Sequence, residues 1–248
     1  MAAPIASISN AFRADGSASY KCPITGYRVL AAVNAPVELP ARKGALKPQE
    51  ATVEVSIRPG KLSPSVVEKS AESILRRMLS SVILRRQAGY PRRGVVITLA
   101  VVEGEPVGRT GTYLPLMPAL LHSSLLALLS AAVPLSCTFL TLFFAVTRSG
   151  EIVRDPSPAT TKDAESLHVI SFSSTGRTLM DLVEGPCDLE IWATIRQQAK
   201  DIYQGAAVPG PDGDISMDEE SSNAPGGIIR ETVEDRLRRD YRWEFETL

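Results

Sequence analysis

Apolar and polar residues alternate along Tyr27 to Ala35 and again along Ala51 to Ile57, the two-residue period of strands with one buried face. The segment between them, Glu38 to Gln49, is polar and carries Pro40, Gly44 and Pro48, which predicts a loop joining paired strands. The period then changes. Val67, Ala71, Ile74, Leu75, Met78 and Val82 fall on one helical face, with Ser63 placed to cap the helix, Pro64 in its first turn, and Gly89 and Pro91 to end it. Val95 to Val102 reads as a further buried strand.

The longest charge-free run, Gly111 to Thr147, is long enough to raise a membrane-spanning reading. Its composition argues otherwise. Pro134 splits it, and His122, Ser123, Ser124 and Ser136 lie inside it. Leu116 to Ala132 is rich in Leu and Ala, as a buried helix is, whereas Thr138 to Thr147 is rich in Phe and Thr, as a central strand is. Leu167 to Phe172 and Thr178 to Val183 then predict a hairpin turning at Ser174-Thr175-Gly176, and a helix from Leu189 to Tyr203 closes an α+β domain. Beyond Gly205 the chain is dominated by Gly, Pro, Asp, Glu and Ser, the composition of a disordered linker. Ile229, Val233, Leu237, Tyr241 and Phe245 return to helical spacing, so the last segment is expected to dock on this domain or on a neighbour. The expected organisation is a segment at 1–14, a domain at 15–205, an acidic linker at 206–227 and an amphipathic helix at 228–248. There is no internal repeat.

Composition narrows the classes. A chain of 248 residues with 44 % hydrophobic content can build a substantial core. The net charge of −1 conceals a base-rich stretch, with nine Lys or Arg against two Glu from Arg58 to Arg93, and an acidic one, Pro209 to Ser222, with no base. Cys22, Cys137 and Cys187 are widely spaced and odd in number, which suits a reducing compartment and predicts neither a disulfide framework nor a zinc site. No cofactor or metal is expected. Met1 to Asn10 lacks the basic and apolar regions of a secretory signal.

Candidate chemistry concentrates between Asp155 and Phe172, just after a strand and the Ser149-Gly150 turn. Acid–base or metal-assisted attack on a phosphodiester needs converging carboxylates. Asp155, Asp163 and Glu165 are present, at a spacing that does not converge. His122 lies in an apolar helix and His168 near this loop, each without a Cys or carboxylate at catalytic spacing, so both are expected to be structural. Trp192 and Trp243 read as packing residues.

The chain resembles the RNase PH-like family. The resemblance is carried by Asp15-Gly16-Ser17-Ala18-Ser19-Tyr20, by Val67-Glu68-Lys69-Ser70, by Asp155-Pro156, and by an order of strands and helices that fits from Asp15 to Tyr203. Active members open the equivalent loop with an Asp-Leu-Asn or Asp-Leu-Asp and place aspartates six and twelve residues further on. Aligned without a gap, these positions are Asp155, Thr161 and Leu167, so two carboxylates are missing. Active members also cradle phosphate with a Gly-Gly-Thr-Arg-Thr type run at a helix start. Leu114-Pro115-Leu116-Met117-Pro118-Ala119 stands in that place, with apolar side chains and two prolines that have no N–H to donate.

The resemblance implies the RNase PH-like βαβα fold, with a mixed sheet packed against helices, and a catalytically silent subunit of an exosome core. It implies partnership with other RNase PH-like subunits in a ring of six, with RNA-binding cap subunits, with an associated nuclease, and with RNA in a central channel, but no membrane. The processes implied are 3′ to 5′ RNA decay and ribosomal RNA maturation in nucleus, nucleolus and cytoplasm. Glu38 to Gln49 would line the channel neck, bringing Arg42, Lys43 and Lys47 to phosphates in a sequence-independent, salt-sensitive contact. Arg92 and Arg93 precede a strand where relatives also place an Arg, and are candidates for a subunit or RNA contact. Arg76, Arg77, Arg85 and Arg86 are expected on a helix, some of them bound to neighbouring acids. Two other readings remain: an active phosphate-dependent 3′ to 5′ exoribonuclease using repositioned Asp155, Asp163 and Glu165, and a stand-alone RNA-binding module.

Overall fold

The computed structural model describes residues 4–9, 11, 13–22, 24–39, 48–60, 66–104, 113–207 and 225–242. The alternating segments build a first sheet from β1 (Ile5–Ser9), β2 (Gly16–Lys21), β3 (Arg28–Val37), β4 (Thr52–Pro59) and β5 (Gly94–Glu103), in the order β1-β2-β3-β5-β4. Pairing is antiparallel except between β4 and β5, which run parallel. Parallel neighbours need a crossover, and α1 (Val66–Val82) supplies it. One face of the sheet, Val29, Ala31 and Val33 with Val53, Val55, Ile57, Val95, Ile97 and Leu99, is buried in the central core, where α1 covers β4 and α2 covers β2 and β3. Each Val, Ile, Leu or Met side chain so removed from water contributes about 1.5–3 kcal/mol.

The charge-free run divides at Pro134 into helix and strand. A 3₁₀ turn at Leu114–Leu116 leads into α2 (Met117–Ser130), of whose 14 residues 11 are buried. A helix apolar all round must be covered all round. The first sheet packs on one side of α2, while the second, β7-β6-β8-β9, contacts it from the other through β6. Its strands are β6 (Phe139–Thr147), β7 (Ile152–Arg154), β8 (Ala164–Ser173) and β9 (Thr178–Glu184), all antiparallel. On β6, Phe139, Phe143 and Ala145 join the central core, whereas Leu140, Leu142, Phe144 and Val146 join a second core with Ile170, Phe172 and Ile195 and Ala199 of α4 (Leu189–Ala207). No described helix is long and apolar enough to cross a membrane.

Several elements differ from the sequence reading. β1 and β2 went unpredicted because they are built from small residues, and Gly16 shows why: a Cβ there would strike the backbone of Ala127 and Ala131 on α2. The segment at 1–14, set apart from the domain on sequence, thus supplies β1 to the sheet. The first long helix stops at Val82 rather than near Gly89, because the following backbone pairs elsewhere: Ile83 bridges Leu135, and Leu84 donates its N–H to Pro134 O at 2.9 Å. A short helix, α3 (Pro158–Asp163), occupies the loop after β7, with the Ser157 side chain capping it by accepting from Thr160 N. The last helix, α5 (Pro225–Asp240), buries Ile228 and Ile229 and meets β1, α2 and α4. Most of the 206–227 segment lies outside the described residues, as do Ser63, Pro64, Trp243 and Phe245.

Candidate functional site

Asp155 follows β7 with φ 48, and its N–H bonds to Phe143 O at 2.9 Å. Arg154 Nε lies 3.3 Å from Asp155 Oδ2, an ion pair not aligned as a hydrogen bond. Burial pushes the Asp155 carboxyl above the ordinary range, and Arg154 partly offsets that. The two positions that carry aspartates in active RNase PH-like proteins go elsewhere. Thr161 turns back on α3, donating Oγ1–H to Ser157 O at 2.9 Å. Leu167 stands opposite Ala145 in β8, 8 % exposed and part of the central core. Asp163 and Glu165 are exposed. Among the described residues no three His, Cys, Asp or Glu gather as metal ligands would.

The start of α2 is equally apolar. Leu116 and Met117 are each 1 % exposed, the N-cap makes no side-chain bond, and the 3₁₀ turn packs against β8. Tyr113, just before it, donates its hydroxyl to Glu68 Oε1 at 3.1 Å, and burial together with this carboxylate pushes the phenol up. Among the described residues, the start of α2 presents packed leucines and a committed tyrosine rather than the free donors a phosphate cradle needs.

Both histidines are buried. His122 Nε2 accepts from Thr141 N–H at 3.1 Å, so Nδ1 carries the proton and has no partner. Its ring meets Tyr20 edge-on with centroids 5.1 Å apart, and burial pushes its pKa down to about 4. His168 Nε2 bonds Ser166 Oγ at 3.0 Å, and burial lowers its pKa against the opposing pull of Asp181. Trp192 donates to Asp181 Oδ2 at 3.2 Å and lies under Arg196 at 5.1 Å.

Arg92 and Arg93 lie at the end of the first sheet where the 38–49 loop leaves and returns. β3 finishes there, Val37 pairing with Gly94 and Leu39 lying over Gly94; β4 begins there, with Thr52 N–H bonded to Arg93 O at 2.9 Å. The stems of the loop bearing Arg42, Lys43 and Lys47 therefore flank the turn bearing Arg92 and Arg93, although those three loop residues lie outside the described residues. Arg92 and Arg93 are exposed, and Arg92 is held at φ 63, in the left-handed region where arginine is uncommon. Glu50 fixes the arrangement: its carboxylate takes Arg85 Nη1 at 2.8 Å and Arg86 Nη2 at 2.7 Å. Arg85 and Arg86 lie beyond α1, not on it, which frees them to converge on one acid. Glu50 and Tyr113 were not singled out from the sequence, since nothing in their local pattern marks a partner 35 or 45 residues away.

No family model matches the chain. The fold, two sheets around one buried helix with a parallel β4–β5 pair in an otherwise antiparallel set, is the RNase PH-like α+β arrangement that solved exosome structures share. The structure matches an archaeal exosome core with TM-score 0.60, 13 % identity, 81 % of this chain and 86 % of the other. It matches an Archaeoglobus fulgidus exosome with RNA bound to the active site with TM-score 0.61, 12 % identity, 82 % of this chain and 85 % of the other. Within that class the likeness reaches one particular subunit. The exosome complex component RRP46 of Saccharomyces cerevisiae is 27 % identical over 173 residues, spanning 68 % of this chain and 74 % of the yeast protein. The crystal structure of rice (Oryza sativa) Rrp46 matches with TM-score 0.69 and 24 % identity, covering 82 % of this chain and 89 % of that one.

Proposed function

We propose that the chain is a non-catalytic structural subunit of an exosome core, joining other RNase PH-like subunits in a six-membered ring and helping to pass RNA to an associated nuclease. The observation that supports this reading is Leu167: where the resemblance to active RNase PH-like proteins implies a catalytic aspartate, a leucine lies in the core, and the N-cap of the nearby α2 makes no side-chain bond. Similarity to RRP46 over most of both chains supports the assembly. Cap subunits that bind RNA, activity in RNA decay and ribosomal RNA maturation, and residence in nucleus, nucleolus and cytoplasm belong to the same proposal. In it, Arg42, Lys43, Lys47, Arg92 and Arg93 form one cationic pole at the channel, supported by the common origin of the loop stems and the Arg92–Arg93 turn.

Affinity capture of the tagged chain from its own cells at moderate salt tests this reading. Near-equal recovery of several RNase PH-like subunits, together with no phosphate-dependent release of nucleoside diphosphates by the purified chain, is expected. Recovery of the chain alone, with such release, would establish the active-enzyme reading instead.

A further inference from the structure

Helix α1 carries two acids, Glu68 and Glu72, and the fold turns both inward. Glu68 is 7 % exposed and accepts from the Tyr113 hydroxyl at 3.1 Å. Glu72 Oε1 reaches the neighbouring strand and accepts from Ile57 N–H at 2.8 Å. The outer face of α1 is left with Lys69, Ser70, Ser73, Arg76 and Arg77, all exposed. At 100° per residue Lys69, Ser73, Arg76 and Arg77 fall within a single sector, and at 1.5 Å per residue Lys69 and Arg76 stand about 10 Å apart along the axis. Among the described residues, none of the three cations has an ion pair, although Glu72 and Arg76 are spaced to form one. Free guanidiniums beside an acid committed elsewhere are an arrangement that a merely solvated face does not require.

We infer that the outer face of α1, through Lys69, Arg76 and Arg77, is a second RNA-binding strip that grips the phosphate backbone of single-stranded RNA outside the channel pole. Its chemistry selects that ligand. Guanidiniums and hydroxyls are the usual phosphate partners. A protein interface would instead need buried aromatic or aliphatic anchors, and Val66, at the first position, is the one exposed apolar side chain on this sector. Without aromatic side chains to stack bases, the grip is indifferent to sequence. Its direction also fits: α1 returns the chain from the far end of β4 to the turn bearing Arg92 and Arg93, so the strip leads toward the pole. The inference rests on the reading of the chain as an RNA-handling subunit and adds a second place of contact.

The test measures binding of the full chain to fluorescein-labelled 20-nucleotide oligo(U) and to a mixed-sequence RNA, by anisotropy between 50 and 300 mM KCl. The parent is compared with K69Q/R76Q/R77Q and with R42Q/K43Q/K47Q/R92Q/R93Q. The expected result is that the α1 variant binds both RNAs about tenfold or more weakly at 50 mM KCl and that its log–log salt slope falls by about 2, three phosphate contacts at roughly 0.7 each. Unchanged binding by the α1 variant alongside loss in the pole variant overturns the strip and leaves the pole standing. Absence of binding by the parent overturns both. Competition by polyglutamate as effective as RNA at equal charge assigns the strip to acidic proteins and overturns the RNA inference. Should the α1 variant melt below the parent, ultraviolet crosslinking of RNA to the parent decides: adducts on the α1 peptide support the strip, and adducts confined to other peptides sink it.

Discussion

At the scale of single residues, packing surrounds the positions where the proposed loss of catalysis would lie. Leu167 is 8 % exposed among apolar neighbours, so restoring an aspartate there would bury an unpaired carboxylate. Leu167→Asp is expected to lower unfolding stability by about 3 kcal/mol in denaturant titration. Combining it with Thr161→Asp is expected to yield no phosphate-dependent release of nucleoside diphosphates, because the α2 start still lacks donors. His122 gives a pH prediction. Its folded pKa of about 4 lies below its ordinary value of 6.5, so the unfolded chain takes up the proton first as the medium acidifies. The stability due to neutral His122 is complete above pH 6.5 and is lost as pH falls toward 4, on the order of 3 kcal/mol. Melting temperatures across that window should drop more steeply for the parent than for His122→Gln, which keeps an acceptor for Thr141 N–H. Thr161 and Leu167 could be read from the sequence as non-carboxylates, because that reading needs only the identity of two positions. That His122 would hold a strand amide, or that Tyr113 would hold Glu68, could not, since each depends on which elements meet in space.

At the scale of elements, period decided what was visible. β3, β4, β5, α1, α2, β6, the β8–β9 hairpin and α4 all show clear apolar spacing in the sequence and all form, with ends shifted by a few residues. β1, β2, β7 and α3 are short or made of small residues, and their pairing comes from neighbours. The end of α1 was misplaced because the helix yields to a bridge with Leu135, a tertiary event that Gly89 and Pro91 do not report. The clasp at Glu50 is testable at this scale. Glu50→Ala is expected to speed hydrogen exchange at Ala51 N–H, which bonds Arg85 O at 2.9 Å, by roughly tenfold while β3 amides keep their rates. On α5 the apolar stripe is graded, with Ile229 8 % and Leu237 49 % exposed. Ile229→Ala is therefore expected to cost about 2 kcal/mol, and Leu237→Ala less than about 0.5 kcal/mol, in the same titration.

At the scale of the whole molecule, two sheets share one apolar helix, and the outer sheet carries a second core beneath α4. The fold class was legible because the order of helical and strand periods is itself an architectural statement, and the candidate channel residues were legible only as charges. What the structure adds is that Arg92, Arg93 and both loop stems rise from a single end of the first sheet. β6 has a further consequence in the order of synthesis. Eight consecutive residues, Phe139 to Val146, are buried on two faces, yet the helix that covers one face begins only at Leu189. On the ribosome this strand emerges some fifty residues before its lid, exposed and uncharged, a segment of the kind that seeds cross-β stacking. In a nascent chain of this protein, the apolar strand therefore waits for its cover until roughly fifty further residues have been made.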